Sequence, residues 1–103
     1  MNKTEIEING EQYYIVRTYS AGVFAGYIES RNGHETVMRN ARRIWKWAGA
    51  ASLSQLAMEG TSDPDNCKFP CEVSRIILLN TIEIIEATEA AKKSIQEVAI
   101  WKA

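Results

Sequence analysis

The first half of the chain alternates between apolar and polar positions, which is the pattern of β-strands that bury one face. The alternation predicts four strands, which cover residues 5–8, 11–18, 23–30 and 35–47. Asn9-Gly10 separates the first two strands, and Asn32-Gly33 separates the last two. Asn-Gly is favoured in tight hairpin turns because both residues tolerate positive φ angles. The strands are therefore expected to run antiparallel, with a bend at 20–22 between the second and the third.

The second half of the chain contains two helix signals. Ser52 begins a capping-box pattern, in which its hydroxyl accepts from the backbone amide three residues later, and Gly60 suits the end of that helix. This predicts a short helix over 53–59 whose apolar side chains face the sheet. Thr88 is the expected cap of a second helix over 89–96.

Strand and loop signals fill the remaining positions. Residues 61–70 contain Asp63-Pro64 and are expected to form an irregular loop. Residues 72–87 are rich in isoleucine and predict one long strand or two short ones with a bend at 80–81. The tail at 98–101 fits either a strand or an extended segment. The whole pattern predicts an α+β fold, a single domain over 1–103 with an antiparallel sheet of about five strands and two short helices.

Composition restricts the class of partner. A chain of 103 residues forms one domain and hides roughly 65% of its unfolded surface on folding. The net charge of −1 argues against a nucleic-acid polymer as the partner, since a duplex binder carries a strong basic excess. No apolar run approaches the roughly 20 residues of a membrane span, and the first residues lack an apolar signal segment. The expected location is the cytoplasm, with no membrane partner.

Catalytic and metal-binding patterns are missing from the sequence. His34 is the one histidine, and the chain has no nucleophile elbow, phosphate loop or paired-histidine zinc motif. Cys67 and Cys71 supply two ligands where a structural zinc needs four, so free thiols are expected. We therefore expect no enzyme, no cofactor and no metal.

Arginines and aromatic residues concentrate between residues 13 and 47, which hold five of the six arginines and seven of the nine aromatics. The stretch from Arg17 to Gly22 combines a forked guanidinium, the hydroxyls of Thr18 and Ser20, and a glycine that lets backbone amides approach an anion. This combination predicts a phosphate site. The alternative is a bulged sheet corner in which Gly22 supplies an unusual dihedral angle and Arg17 is a surface residue.

A second candidate is the segment 41–47. Regular alternation would divide it into two faces, with Arg43, Trp45 and Trp47 on one and Arg42, Ile44 and Lys46 on the other. Indole rings stack on bases at about 1 to 3 kcal/mol each, and arginine contacts phosphate, so this composition suits a nucleotide. The alternative is that the two tryptophans lie in the core or in a subunit interface.

Three stretches carry a resemblance to known proteins: 16–23 (VRTYSAGV), 40–50 (NARRIWKWAGA) and 53–56 (LSQL). In these stretches the chain resembles a widespread group of small phage and prophage proteins, over about residues 14–101. That group is similar to the first type of Thoeris anti-defence proteins, which sequester the nucleotide signals of bacterial immunity. The resemblance implies an antiparallel sheet flanked by two helices, assembly into dimers and hexamers, and a role in the infected bacterial cell. It also implies binding, without cleavage, of cyclic ADP-ribose isomers or cyclic di- and trinucleotides.

The sequence thus predicts a homo-oligomer that binds a small phosphorylated nucleotide. No binding residue of the family is carried over position by position, so the predicted site rests on residue chemistry. It comprises Arg17, Thr18, Tyr19, Ser20, Gly22, Arg42, Arg43 and Trp45, with Tyr19 or Trp45 as the stacking plane. The competing hypothesis is a structural or protein-binding phage accessory module that uses the Trp45/Trp47 face, and a small nucleotide hydrolase is the third.

Overall fold

The computed structural model describes residues 10–102. In chain order its elements are β1 (Tyr13–Thr18), β2 (Val23–Asn32), β3 (Glu35–Arg43), α1 (Leu53–Glu59), a 3-10 turn (Pro64–Asn66), β4 (Glu72–Leu78), β5 (Thr81–Glu86) and α2 (Glu89–Glu97). The predicted α+β fold, with a five-stranded antiparallel sheet and two helices, is confirmed. The strand predicted at 5–8 lies outside the described residues.

The strands lie side by side in the order β4-β3-β2-β1-β5, and each neighbouring pair is antiparallel. β1, β2 and β3 form the predicted meander, and β4 joins the free side of β3. β5 returns to the other side of β1, where Ile15 lies opposite Ile85 and Arg17 lies opposite Glu83. β1 is therefore a central strand that is paired on both edges.

The connection between β4 and β5 requires the sheet to curl. These strands lie at opposite edges, which would be about 19 Å apart in a flat sheet with a strand spacing of about 4.8 Å. Only Leu79 and Asn80 join them, and three Cα steps span at most about 11 Å. The curl brings the starts of β3 and β5 together: the Thr81 amide donates to the His34 carbonyl at 3.0 Å, and the Thr81 hydroxyl donates to the Thr36 hydroxyl at 2.9 Å.

The two faces of the curled sheet carry separate apolar clusters. The outer cluster packs against both helices and comprises Tyr13, Ile15, Ala25, Ile44, Leu56, Ala57, Cys67, Phe69, Ala87, Ala91, Ile95 and Val98. The inner cluster lies on the concave face and comprises Tyr14, Val16, Phe24, Ile28, Met38, Ala41 and Leu78. Alternation along β1 explains the division, since Tyr13 and Ile15 point outwards while Tyr14 and Val16 point inwards.

Both helices begin at the predicted caps. The Ser52 hydroxyl accepts from the Gln55 amide at 3.2 Å, and the Thr88 hydroxyl accepts from the Ala91 amide at 3.0 Å. Gly60 ends α1 with a φ of 76°, a conformation that favours glycine. α2 extends one residue beyond the predicted end, to Glu97. No helix in the described residues is long and apolar enough to cross a membrane.

β3 is shorter than predicted and contains a bulge. It ends at Arg43, whereas the alternation pattern extends to residue 47. Asn40 adopts a left-handed φ of 49°, and the register shifts opposite this point of β3. A Cβ on Gly26 of β2 would lie 2.8 Å from the Ala41 Cα, so the two strands approach closely only because this residue is glycine.

Candidate ligand-binding site

A groove opens on the concave face of the sheet, beside the bend that joins β1 to β2. It has a volume of about 280 Å³ and is lined on one side by Thr18, Ser20, Ala21 and Arg43. Residues 76–80, from the end of β4 and the connection to β5, line the other side. Three of the predicted site residues, Thr18, Ser20 and Arg43, therefore meet at one groove.

The bend at 18–22 is built by its own hydrogen bonds. The Thr18 amide and hydroxyl both donate to the Gly22 carbonyl, at 3.0 and 2.8 Å, and the Ala21 amide donates to the Thr18 hydroxyl at 2.9 Å. Gly22 has a φ of 98°, which explains the requirement for glycine. Thr18 and Gly22 thus shape the groove, while the exposed Ser20 hydroxyl has no hydrogen-bond partner within residues 10–102 and is free to contact a ligand.

Arg43 is the cation of the groove. Its guanidinium carbon lies 4.7 Å from the centre of the Phe24 ring, which holds the side chain on the concave face. Within the described part of the chain, Arg43 is exposed and forms no hydrogen bond or ion pair. Its donors are therefore available to an anion, and a guanidinium forks readily onto phosphate oxygens.

Arg17 and Tyr19 do not line this groove. Arg17 points to the side of β1 opposite Thr18, and its Nε donates to Glu83 at 3.0 Å in a half-exposed ion pair. The Tyr19 side chain is 81% exposed, and its backbone amide donates to the Asn80 carbonyl at 2.9 Å. Residues 17–22 were predicted to form one phosphate site. Alternation along β1 instead places Arg17 on the face opposite the groove that Thr18 and Ser20 line.

Arg42 is buried beneath the end of α2, with 3% of its surface exposed. The five N–H donors of its guanidinium meet five backbone carbonyls at 2.6 to 3.4 Å, those of Phe69, Pro70, Ile95, Val98 and Ala99. Burial lowers the pKa of Arg42, and the nearby Tyr13, Glu72 and Cys71 act in the opposite direction. In this conformation Arg42 has no donor left for a phosphate. It instead links the 69–70 segment to α2 and to residues 98–99.

The two tryptophans that were expected to share a face are separated. Trp45 is 64% exposed and stacks on Trp101, with ring centres 6.4 Å apart and planes at 10°. Trp47 is half-buried against the outer cluster, and its indole N–H donates to the Ala50 carbonyl at 3.2 Å. The Lys68 ammonium lies 5.4 Å from the Trp101 ring. The predicted site lacked Trp101 and Lys68, because no pattern in the sequence indicates that these two residues approach Trp45.

A larger cleft of about 640 Å³ lies beside the start of α2, lined by Gly10, Glu11, Tyr27, Arg39, Asn40, Glu89 and Lys92. Its cations are already neutralised. Arg39 pairs with Glu29 at 3.1 Å, and Lys92 pairs with Glu89 at 3.3 Å. The smaller groove is the better candidate for an anionic ligand because its arginine has no such partner among residues 10–102.

The chain belongs to the family described as a domain of unknown function, DUF6948, whose model matches residues 11–95. No curated protein and no solved structure matches the chain.

Proposed function

We propose that this protein binds a small phosphorylated nucleotide in the concave groove and holds it without cleaving it. The observation that carries the proposal is the Arg43 guanidinium, which is fixed over Phe24 at the groove and has no counter-ion among the described residues. The resemblance to anti-defence proteins of phages suggests the biological role: sequestration of a cyclic nucleotide signal in the cytoplasm of an infected bacterium.

The lining of the groove suits a phosphate attached to an apolar ring. Arg43 and the Ser20 hydroxyl supply donors on one side, while Ile76 and Leu79 offer aliphatic surface on the other. A charge-assisted hydrogen bond to a phosphate is roughly twice as strong as a neutral one. Polar donors would therefore fix the phosphate, and the aliphatic wall would cover the apolar edge of the ligand beside it.

The size of the groove favours a shared site. Its 280 Å³ lies just below the range of about 300 to 1,000 Å³ that is typical of small-molecule pockets. One groove therefore suits a mononucleotide or one half of a cyclic dinucleotide. Holding a whole cyclic di- or trinucleotide would need a second groove, which is the reason for proposing a homo-oligomer, with a dimer as its smallest form.

Binding without cleavage is consistent with the groove's chemistry. Within the described residues its polar side chains are those of Thr18, Ser20, Arg43 and Asn80. A serine attacks a phosphorus atom only when a base removes its proton, and none of these groups is a carboxylate, imidazole or thiolate.

The test is a thermal-shift panel of cyclic ADP-ribose isomers, cyclic di- and trinucleotides, adenosine monophosphate and inorganic phosphate. A ligand at 100 times its dissociation constant adds about 2.7 kcal/mol to stability. Bound ligand, recovered after denaturation, should have an unchanged mass. Arg43→Ala should weaken binding by about 1.5 to 3 kcal/mol, the value of a charged hydrogen bond.

Arg17→Ala is the matched control, because it removes an exposed arginine on the opposite face of the sheet. It should leave affinity unchanged. Full affinity of Arg43→Ala for every nucleotide that the unmodified protein binds would refute the groove as the site.

A protein-binding phage accessory module is the second candidate function. It is favoured by the 64% exposure of Trp45, in a pair with Trp101 rather than with Trp47. Ligand recovery separates the two candidates: this module would yield no nucleotide and show no thermal shift with any compound of the panel.

A further inference from the structure

Trp45 and Trp101 form an exposed aromatic pair whose members belong to neither apolar cluster. Their centroid distance of 6.4 Å and angle of 10° lie within the range of offset stacking. Trp45 keeps 64% of its surface exposed, so stacking on Trp101 leaves much of its indole open to solvent. An indole that is supported on one side is ready to receive a second planar ring on the other.

The backbone beneath this pair is fixed by hydrogen bonds among three segments. The Trp45 amide donates to the Lys68 carbonyl at 3.1 Å, and the Trp101 amide donates to the Phe69 carbonyl at 3.0 Å. Arg42 binds the carbonyls of Phe69 and Ala99 from below, at 2.6 and 3.4 Å. The backbone that carries the two indoles is therefore fixed before any ligand arrives, which reduces the entropy lost on binding.

Several cations lie near the pair in sequence, and one of them, Lys68, lies against the Trp101 ring. Arg43, Lys46, Lys68 and Lys102 neighbour the two indoles in sequence or space, and none of them has a carboxylate partner among residues 10–102. The whole protein has a net charge of −1, so this cluster is a local concentration of cations. Such a surface attracts an anion, and the exposed indole selects one that carries a flat ring.

We propose that Trp45, supported by Trp101 and flanked by Lys68, is the stacking plane for the base of the nucleotide whose phosphate contacts Arg43. This inference rests on the proposed function and adds the contact that selects a base. Arg43, the last residue of β3, and Trp45 are both exposed, and the Cα atoms of two residues at this spacing lie about 7 Å apart in an extended chain. That span is comparable with the distance from a nucleobase to its own phosphate.

The experiment measures tryptophan fluorescence during titration with adenosine monophosphate, cyclic ADP-ribose, adenosine or inorganic phosphate. Stacking of a base on Trp45 should quench its emission, whereas phosphate alone should not. Trp45→Ala should weaken binding of both nucleotides by about 5- to 150-fold, which corresponds to the 1 to 3 kcal/mol of a base stacked on an aromatic ring. For that variant, affinity is measured by calorimetry.

Tyr19→Ala is the matched control, since Tyr19 is 81% exposed and lies outside the aromatic pair. It should leave affinity and quenching unchanged. Trp101→Leu keeps Trp45 but removes its support, and should produce an intermediate loss of affinity. It also provides a second test should Trp45→Ala unfold.

The outcomes separate the inference from the proposed function. Full nucleotide affinity in both tryptophan variants, with a loss in Arg43→Ala, would overturn the stacking plane and leave the groove in place. A loss in Trp45→Ala with full affinity in Arg43→Ala would overturn the groove and with it the pairing of Trp45 with Arg43, because the phosphate of the stacked nucleotide would then lie elsewhere. Absence of any nucleotide binding by the unmodified protein would overturn both, and the aromatic pair would then be assigned to a protein partner.

Discussion

Arg42 and Arg43 are neighbours in the sequence, yet they lie on opposite faces of the sheet in opposite chemical settings. Arg42 is buried on the outer face, where five carbonyls accept its five N–H groups. Arg43 lies on the concave face over the Phe24 ring and lines an open groove. One arginine joins the tail, the 69–70 segment and α2, while the other remains available to solvent.

The difference follows from what covers each face. Helices α1 and α2 close the outer face, so a cation there must satisfy every donor within the protein. The carbonyls at the end of α2 also carry partial negative charge, which suits a buried guanidinium. The concave face is enclosed by the curled sheet itself. It opens to solvent at the groove beside the 18–22 bend. The same residue type therefore acts as a structural tie on one face and as a candidate ligand contact on the other.

The largest expected effect comes from Arg42→Ala. The change leaves several buried carbonyls without partners, and we expect it to lower the free energy of unfolding by about 3 to 5 kcal/mol. Arg43→Ala is the matched variant and should cost about 1 kcal/mol or less, the value of an exposed cation–π contact. Urea unfolding followed by circular dichroism measures both. Equal losses of stability in the two variants would contradict the structural role assigned to Arg42 alone.

A smaller effect is expected at the hydroxyl pair that joins the starts of β3 and β5. Thr36→Val removes the acceptor of the buried Thr81 hydroxyl, and should cost about 1 to 2 kcal/mol. The double variant with Thr81→Val should lose less than the sum of the single variants, because no unpaired hydroxyl remains. A double-mutant cycle in urea measures this coupling. Strict additivity would mean that the pair does not stabilise the curl.

The smallest effect is expected at Glu29, an exposed carboxylate that forms ion pairs with Arg39 and Arg75. Hydrogen bonds from Arg75, followed by its charge and by Arg39, hold the pKa of Glu29 below its usual value of 4.5. Because the folded pKa is the lower one, the ion pairs add stability above about pH 4.5, and this stability is lost as the pH falls through the folded pKa. Glu29→Gln should therefore be slightly less stable at pH 7 and equal to the unmodified protein in strong acid.

Thermal unfolding between pH 2 and 7, at low and high salt, measures this difference. The carboxylate is exposed, so high salt should shrink the gap at pH 7. A gap that persists unchanged at pH 2 would mean that Glu29 acts through packing rather than charge.

Local features of the fold could be predicted from the sequence, because their causes are local. Ser52 and Thr88 cap helices through hydrogen bonds to amides only three residues away. The turn between β2 and β3 was also predicted from local residues, and Gly33 has the expected positive φ of 60°, although its two loop residues are Gly33 and His34 because Asn32 still pairs with Glu35. The order of the sheet could not be predicted in this way, since the pairing of β5 with β1 depends on chain segments far apart in sequence.

The candidate site was predicted only in part for a similar reason. Thr18, Ser20 and Arg43 meet at the groove because β1, β2 and β3 are neighbours, whereas the opposite wall at 76–80 is brought there by the curl of the whole sheet. The bulge at Asn40 is encoded by close packing against Gly26 and not by any pattern within β3. The stacking partner of Trp45 lies 56 positions later, at Trp101, so that no local pattern pairs them.

The central position of β1 has a consequence for synthesis of the protein. Arg17 and its partner Glu83 are 66 residues apart in sequence. At about 5 to 20 residues per second, a ribosome needs roughly 3 to 13 seconds to add that length. During this interval the nascent β1–β2 hairpin has an unpaired edge and lacks β5, so it is open to pairing with another chain. The middle of the sheet is thus completed by a segment that leaves the ribosome well after β1, and a chain that stalls before residue 81 should be the form most prone to aggregation.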